Sequence, residues 1–247
     1  MSQNALVNLD LTQLPSTQIG SDEAYTELSK GGDFLSYVKL CTNDKYTKTG
    51  KILPGHWGIP DAGDEIIDLG DSIDVLPLAR RPKALDSSDK SAIVISYDEQ
   101  SPAFKRIAAK SMEPNSGCQH GISFLVVERS TGQFLEIYFG TKSSRPEAKK
   151  IFPYLPLSQA DIERKAAAGA DVQDLVPHGP IPVTLKVRLA ENKKGMWHCP
   201  MVVKCSAPFA KIPPTTAIVR EINRFLSAKS GGVEKVEEPV GHKGRAR

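Results

Sequence analysis

The chain has 247 residues, 40% of them hydrophobic and 25% charged, with four cysteines and a formal net charge of +3. That length buries a sizeable core without disulfides or structural metals, and four irregularly spaced cysteines exclude a secreted disulfide framework. No apolar run reaches the length of a membrane span and no signal peptide opens the sequence, so the reading is a soluble protein of a reducing cytoplasm with no membrane partner.

The charge is unevenly spread. Before residue 40, Asp10, Asp22, Glu23, Glu27 and Asp33 outnumber Lys30 and Lys39. Three basic clusters follow: Arg80, Arg81 and Lys83; Lys142, Arg145, Lys149 and Lys150; and Lys186, Arg188, Lys193 and Lys194. Concentrated like charges imply a patch if folding brings them together, and separate solvated loops if it does not.

In chain order, residues 1–32 are polar and weakly periodic, which predicts a loosely ordered N-terminal arm. Phe34 to Cys41 reads as the first strand, and Thr42 to Pro60 as a long loop containing Gly55-His56-Trp57-Gly58. Ile73 to Ala79 and Ala92 to Tyr97 are short apolar runs bounded by turn residues, hence strands. Pro77 confines the first to an edge or a bulge, because it has no N–H for a ladder. Ser101-Pro102 starts a helix running to about Ser111, with a hydroxyl cap and proline at the first helical position.

The clearest hairpin runs Phe124 to Arg129, turns through Ser130-Thr131-Gly132-Gln133 and returns over Phe134 to Gly140. Phe134, Glu136 and Tyr138 share the face opposite Leu135, Ile137 and Phe139, which turns two aromatics outward. Gly140-Thr141-Lys142-Ser143-Ser144-Arg145 then offers amides, hydroxyls and cations of the kind that contact phosphate. Residues 159 to 170 read as a helix. In Val183 to Leu189 the apolar residues Val183, Leu185, Val187 and Leu189 alternate with Thr184, Lys186 and Arg188, so one face builds a core and the other presents charge. A turn from Glu191 to Gly195 leads into a second run, Met196 to Cys205. Thr215 or Thr216 caps a last amphipathic helix whose buried stripe is Ile218, Ile222, Phe225 and Leu226. The tail, 230–247, is predicted to be disordered and basic.

Short strands, two hairpins and few helices predict a strand-dominated α+β fold. The expectation is an OB-like antiparallel β-barrel with a few peripheral helices and flexible termini, one domain over residues 33–229. Such barrels present basic, aromatic-bearing faces to single strands.

Single-strand binding needs cations along phosphates and rings under bases. The candidate cations are Arg80, Arg81, Lys83, Lys142, Arg145, Lys186, Arg188, Lys193 and Lys194; the candidate rings are Trp57, Phe134 and Tyr138. Trp197 falls in phase with Cys199, Met201, Val203 and Cys205 and reads as core, unless Pro200 marks a bulge that returns it to the surface. Neither Cys118 with His120 nor His198 with Cys199 and Cys205 has metal-ligand spacing, so no metal or cofactor is expected. Motifs for serine hydrolases, P-loops and zinc proteases are absent. The acids Asp61, Asp64, Glu65, Asp68, Asp71 and Asp74 would hold magnesium for phosphodiester cleavage only if their carboxylates converged.

The segments Gly55-His56-Trp57-Gly58-Ile59, Asp74 to Ala84 and Ser116-Gly117-Cys118, with the Phe124 to Arg145 hairpin, resemble uncharacterised bacteriophage-encoded proteins. The resemblance covers about half the chain and implies a phage setting in a host cytoplasm. Single-strand binders of replication and recombination are frequent there, but the resemblance supplies no assigned residue. Phage single-strand binders often end in an acidic tail that recruits replication enzymes, whereas this chain ends in a basic one. The expectation is therefore a non-catalytic single-stranded DNA-binding protein, with RNA as the other ligand. Replication or recombination proteins, or further copies of the chain, are its expected protein partners. A virion or scaffold-associated interaction protein and a metal-dependent nuclease are the alternatives.

Overall fold

One strand, β4 (Ser72–Asp86), organises the molecule. In the computed structural model, which describes residues 35–61, 64–89, 93–192, 195–205 and 212–228, β4 pairs with β6 (Cys118–Glu128) along most of its length. The ladder shifts register between Pro77 and Ala79. Proline contributes no N–H there, and the extra residue exchanges the two faces of the strand. Before the bulge, Ile73 and Val75 join Phe124 and Val126 in the largest core, on what we call the inner face. Beyond it, Ala79, Arg81 and Lys83 share the outer face with Leu76, Leu125 and Ser123, because they lie in register with Leu125, Ser123 and Gly121. In an unbroken alternation Arg81 and Lys83 would enter the main core.

The sheet continues on both sides of this pair. With β1 (Tyr37–Leu40), β2 (Trp57–Pro60), β3 (Ile66–Gly70), β7 (Phe134–Phe139), β8 (Val183–Asn192) and β9 (Gly195–Lys204), the order is β3-β2-β1-β7-β6-β4-β8-β9. The short β5 (Val94–Ser96) also pairs with β4. All these pairs are antiparallel except β1 with β7, which is parallel. The fold is thus mixed α+β and strand-dominated, with a large open sheet. Among the described residues no ladder joins β3 to β9, so barrel closure is not seen.

The sheet is nevertheless strongly coiled. Val38, Trp57 and Ile59 from one end of the path share a core with Val183 and Leu185 from the other. Val187 N–H donates to the Asp71 carbonyl at 3.1 Å, and a Cβ added to Gly55 would lie 2.7 Å from the His198 ring.

Among the described residues, five α-helices flank the sheet: α1 (Lys45–Lys48), α2 (Pro102–Lys110), α3 (Arg145–Ile151), α4 (Gln159–Ala167) and α5 (Thr215–Ser227). In α2 the Ser101 hydroxyl accepts from Phe104 N–H and Pro102 occupies the first turn, as its sequence predicts. Its Phe104 and Ile107 pack with Ala84 and Cys118. Ala148 and Ile151 of α3 enter the inner core. The outer face belongs to α5, whose Ile218 and Phe225 cover Leu76, Leu78, Ala79, Leu125 and Val127. Two expectations for α5 are corrected. Pro214 stands at its N-cap with no side-chain cap bond, and Leu226 is exposed while Glu221 is buried in the stripe. The helix faces the sheet through a narrower strip than the sequence stripe implies.

The Phe124–Gly140 hairpin forms with its predicted turn, as β6 and β7. The strand predicted over Ile73 to Ala79 is much longer, because Arg80 to Asp86 continue the ladder to β6 and β5. The predicted arm, 1–32, and tail, 230–247, lie outside the described residues. Among the described residues, no helix is long and apolar enough to cross a membrane.

Candidate nucleic-acid interface

The predicted division of Val183 to Leu189 is present in β8. Val183 and Leu185 are buried, Val187 is half-buried, and Lys186 and Arg188 are exposed on the outer face. Leu189 departs from the pattern at 59% exposure, because the strand has by then run past the core. Register sets Lys186 opposite Met201, Arg188 opposite Cys199, and Ala190 opposite Trp197. Trp197 is therefore a diagonal cross-strand neighbour of Arg188 on the same face. It is half-buried, while Cys199 beneath the same face is fully buried. The ladder runs unbroken through Pro200, so no bulge at that proline is needed to bring the indole partly to the surface. Neither Lys186 nor Arg188 has a carboxylate at ion-pair distance among the described residues. Arg188 acts through space on Glu147, whose carboxyl is pushed up by burial but drawn further down by hydrogen bonds from Lys150 and Val202 N–H and by these two cations. Lys193 and Lys194, between β8 and β9 in sequence, lie outside the described residues.

The first basic cluster is divided by the pleat of β4. Arg80 faces inward, where its guanidinium lies 4.0 Å from the centre of the Phe152 ring and remains exposed. Arg81 and Lys83 face outward and converge on Glu136, at 3.0 Å and 2.8 Å. Arg81 is only 7% exposed, and Ser123 donates a further hydrogen bond to Glu136. Burial pushes the Glu136 carboxyl up, but Lys83, Arg81 and Ser123 together draw it below the usual carboxylate range, so it stays ionised. The expectation that Arg81 and Lys83 reach for phosphate is corrected: in this conformation an acid from β7, on the far side of β6, holds both. The Arg81 Nε is buried without a hydrogen-bond partner among the described residues.

The predicted rings are not open platforms. Trp57, expected in a loop, lies in β2 opposite Leu40 and is 2% exposed in the inner core, its indole N–H without a partner among the described residues. Phe134 is half-buried against the α5 cluster. Tyr138 is also half-buried and donates its hydroxyl to the Lys83 carbonyl at 3.2 Å. It lies close against Gly140, where a Cβ would come within 2.4 Å of its ring. Burial raises the phenol above its ordinary pKa.

The second cluster is also tied locally. Lys142 is exposed and donates to the Met112 carbonyl at 3.1 Å. Arg145 meets His120 Nε2 at 2.7 Å, and His120 Nδ1 meets the Ser111 hydroxyl at 2.5 Å. A guanidinium only donates, so Nε2 accepts and the proton sits on Nδ1; Ser111 in turn donates to the Ala108 carbonyl at 2.7 Å. Burial, and then the Arg145 charge, hold His120 below its ordinary pKa, which keeps the ring neutral. The loop expected to cradle phosphate closes on itself: Thr141 N–H donates to the Ser144 hydroxyl at 3.1 Å, and Ser144 N–H to the Thr141 hydroxyl at 3.2 Å.

The acids from Asp61 to Asp74 spread out rather than converge. Asp64 pairs with Lys45, Glu65 with Lys51, Asp68 with His56, and Asp74 with Arg129. No group of three or more His, Cys, Asp or Glu side chains suited to a metal occurs among the described residues. Cys41, Cys118 and Cys199 are free and buried.

The outer face of β8 and β9 is thus where exposed cations and a partly exposed ring meet. Trp197 was missed as a site residue because its apolar phase reads as core; its position near the end of a hairpin that outruns the core was the available signal. In comparisons with known proteins, no family model, no curated protein and no solved structure matches the chain.

Proposed function

We propose that this protein binds single-stranded DNA without catalysis, through the outer face of the β8–β9 hairpin. The observation that carries the reading is the juxtaposition of Lys186 and Arg188, both exposed and unpaired among the described residues, with Trp197. Two cations neutralise adjacent phosphates and release counterions, and the indole supplies a surface on which a base of any identity stacks. Lys193 and Lys194 extend the same charge in sequence.

Strand connectivity supports an OB-like architecture within this reading. In an OB-type barrel the first strand pairs with both the second and the fourth, the third pairs with the second, and the fifth with the fourth. Here β4 pairs with β6 and β8, β7 with β6, and β9 with β8. The first strand is long and bulged, and α3 and α4 fall between the third and fourth strands. β1 takes the edge of β7 that a fifth strand would use for closure. On this assignment the β8–β9 turn is the loop between strands four and five, a habitual oligonucleotide contact of such barrels.

Fluorescence anisotropy with a labelled oligothymidylate tests the reading. Binding should weaken steeply with salt, and replacing Lys186 and Arg188 together with alanine should lower affinity and flatten the salt slope. An unchanged slope removes this face from the site. Leu189 and Met196, 59% and 66% exposed near the same hairpin end, favour a second reading as a protein-contact module. Absence of oligonucleotide binding at low salt would select it.

A further inference from the structure

The chain that follows β7 sets α3 against the outer edge of β9, the last strand of the sheet path. There Val202 N–H donates to the Glu147 carboxylate at 3.1 Å. That N–H points away from β8, and alternate residues of a strand point the same way, so Pro200 stands at the same edge with no N–H to offer. Two successive edge positions of β9 thus hold no free donor for a further strand, and a helix side chain covers one of them.

Glu147 is paired in turn with Lys150 at 2.8 Å, and the Lys150 side chain is 56% exposed. Met201, the neighbour of Val202, is the register partner of Lys186, so α3 meets the β9 edge level with the basic outer face. Helical geometry decides what else α3 shows. Glu147, Ala148 and Ile151 form its buried side, Lys149 and Lys150 are exposed, and the half-buried Arg145 lies one turn before Lys149 on the same side. Neither Lys149 nor Arg145 has an acid at ion-pair distance among the described residues. The Arg145 bond to His120 Nε2 ends on a neutral ring, which leaves the guanidinium charge uncompensated. Three cations of α3 therefore stand against the single acid Glu147.

We propose that α3 is a second phosphate-binding surface of the single-strand site: a strand lying on Lys186 and Arg188 passes round the edge of β9 and onto Lys150, Lys149 and Arg145. The inference rests on the single-strand reading above and deepens it by giving the strand a path and adding cations from another element. Arg188 already acts on Glu147 across that edge, so the basic groups on its two sides share one electrostatic neighbourhood. A flexible polyanion follows such a row, because phosphates need cations along a path and no shaped pocket.

The test is lysine acetylation of the full-length protein, read residue by residue by mass spectrometry with and without an oligothymidylate of about 16 residues, the upper site size for one OB-type domain. Lys149 and Lys150 should be protected together with Lys186. Replacing Lys149 and Lys150 together with alanine should weaken binding about tenfold and lower the salt slope by about 1.4, the loss of two phosphate contacts on a single strand. Because Lys150→Ala also takes the partner of Glu147, Lys149→Ala alone is the second variant, and it should lower the slope by about 0.7. Unprotected Lys149 and Lys150 on a strand that protects Lys186 would overturn the α3 surface alone. So would a slope unchanged by the α3 variants where Lys186→Ala with Arg188→Ala lowers it. No protection of any of the three lysines and no binding at low salt would overturn the single-strand reading together with it.

Discussion

The outer face of the sheet carries two pairs of basic residues at two-residue spacing, and they live in opposite circumstances. Arg81 and Lys83 on β4 are drawn onto Glu136 and covered beside α5, whereas Lys186 and Arg188 on β8 face solvent with no acid at ion-pair distance among the described residues. Spacing and charge are the same in both. What differs is the surroundings: β7, on the far side of β6, brings an acid within reach of one pair, whereas the residues across from the other pair on β9 are Met201 and Cys199. A basic strand face is thus a binding surface or a structural ion network according to whether the same sheet face supplies an acid within reach, and the difference can be probed one residue at a time.

Glu136→Ala should have the largest effect. It leaves Arg81 and Lys83 without their shared acid in a poorly solvated setting, which costs about 3–5 kcal/mol by the usual penalty for breaking a buried pair. Denaturant unfolding checks this; a loss below about 1 kcal/mol would mean that the network is solvated. The double change Lys186→Ala and Arg188→Ala should leave the unfolding free energy within about 0.5 kcal/mol. It should lower oligothymidylate affinity about 10- to 100-fold and reduce the salt slope by about 1.4, as loss of two phosphate contacts on a single strand predicts. Both halves of that contrast are needed, since equal stability losses at the two sites would erase it.

Acid sensitivity separates the regions further. His120 has a lowered pKa in the fold, so as pH falls below about 6.5 the unfolded chain takes up the proton first and stability declines. His120→Gln should flatten the stability profile between pH 7 and pH 5. Glu136 also has a lowered folded pKa; its contribution is present above the ordinary carboxylate range and is lost as pH falls through the folded value. Glu136→Gln should therefore blunt the steeper loss in more acidic solution and leave the histidine step in place. Arg80→Ala, which removes only the stack on Phe152, should cost no more than about 1 kcal/mol.

Much of this was legible in the sequence where a single strand decides the outcome. The alternation in β8 separates core from charge without help from distant residues, and the Ser101-Pro102 helix start is written locally. Legibility failed where partners are remote. Glu136 lies 55 residues from Arg81, so no local pattern announces the ion network. The bulge after Pro77 inverts the faces of β4, and a simple alternation therefore misplaces everything from Ala79 onward. Trp57 sits in a Gly- and Pro-rich stretch that reads as loop, yet its register with Leu40 buries it. Trp197 shows the converse: an apolar phase marks a core face only while there is core beneath it.

The most direct measurement is the salt dependence of oligothymidylate binding by the unmodified protein and by the Lys186→Ala, Arg188→Ala double variant at matched folded fraction. The account predicts a steep slope for the first, and for the second a shallower one with weaker binding. Superimposable curves, or no binding by the unmodified protein at low salt, would contradict it.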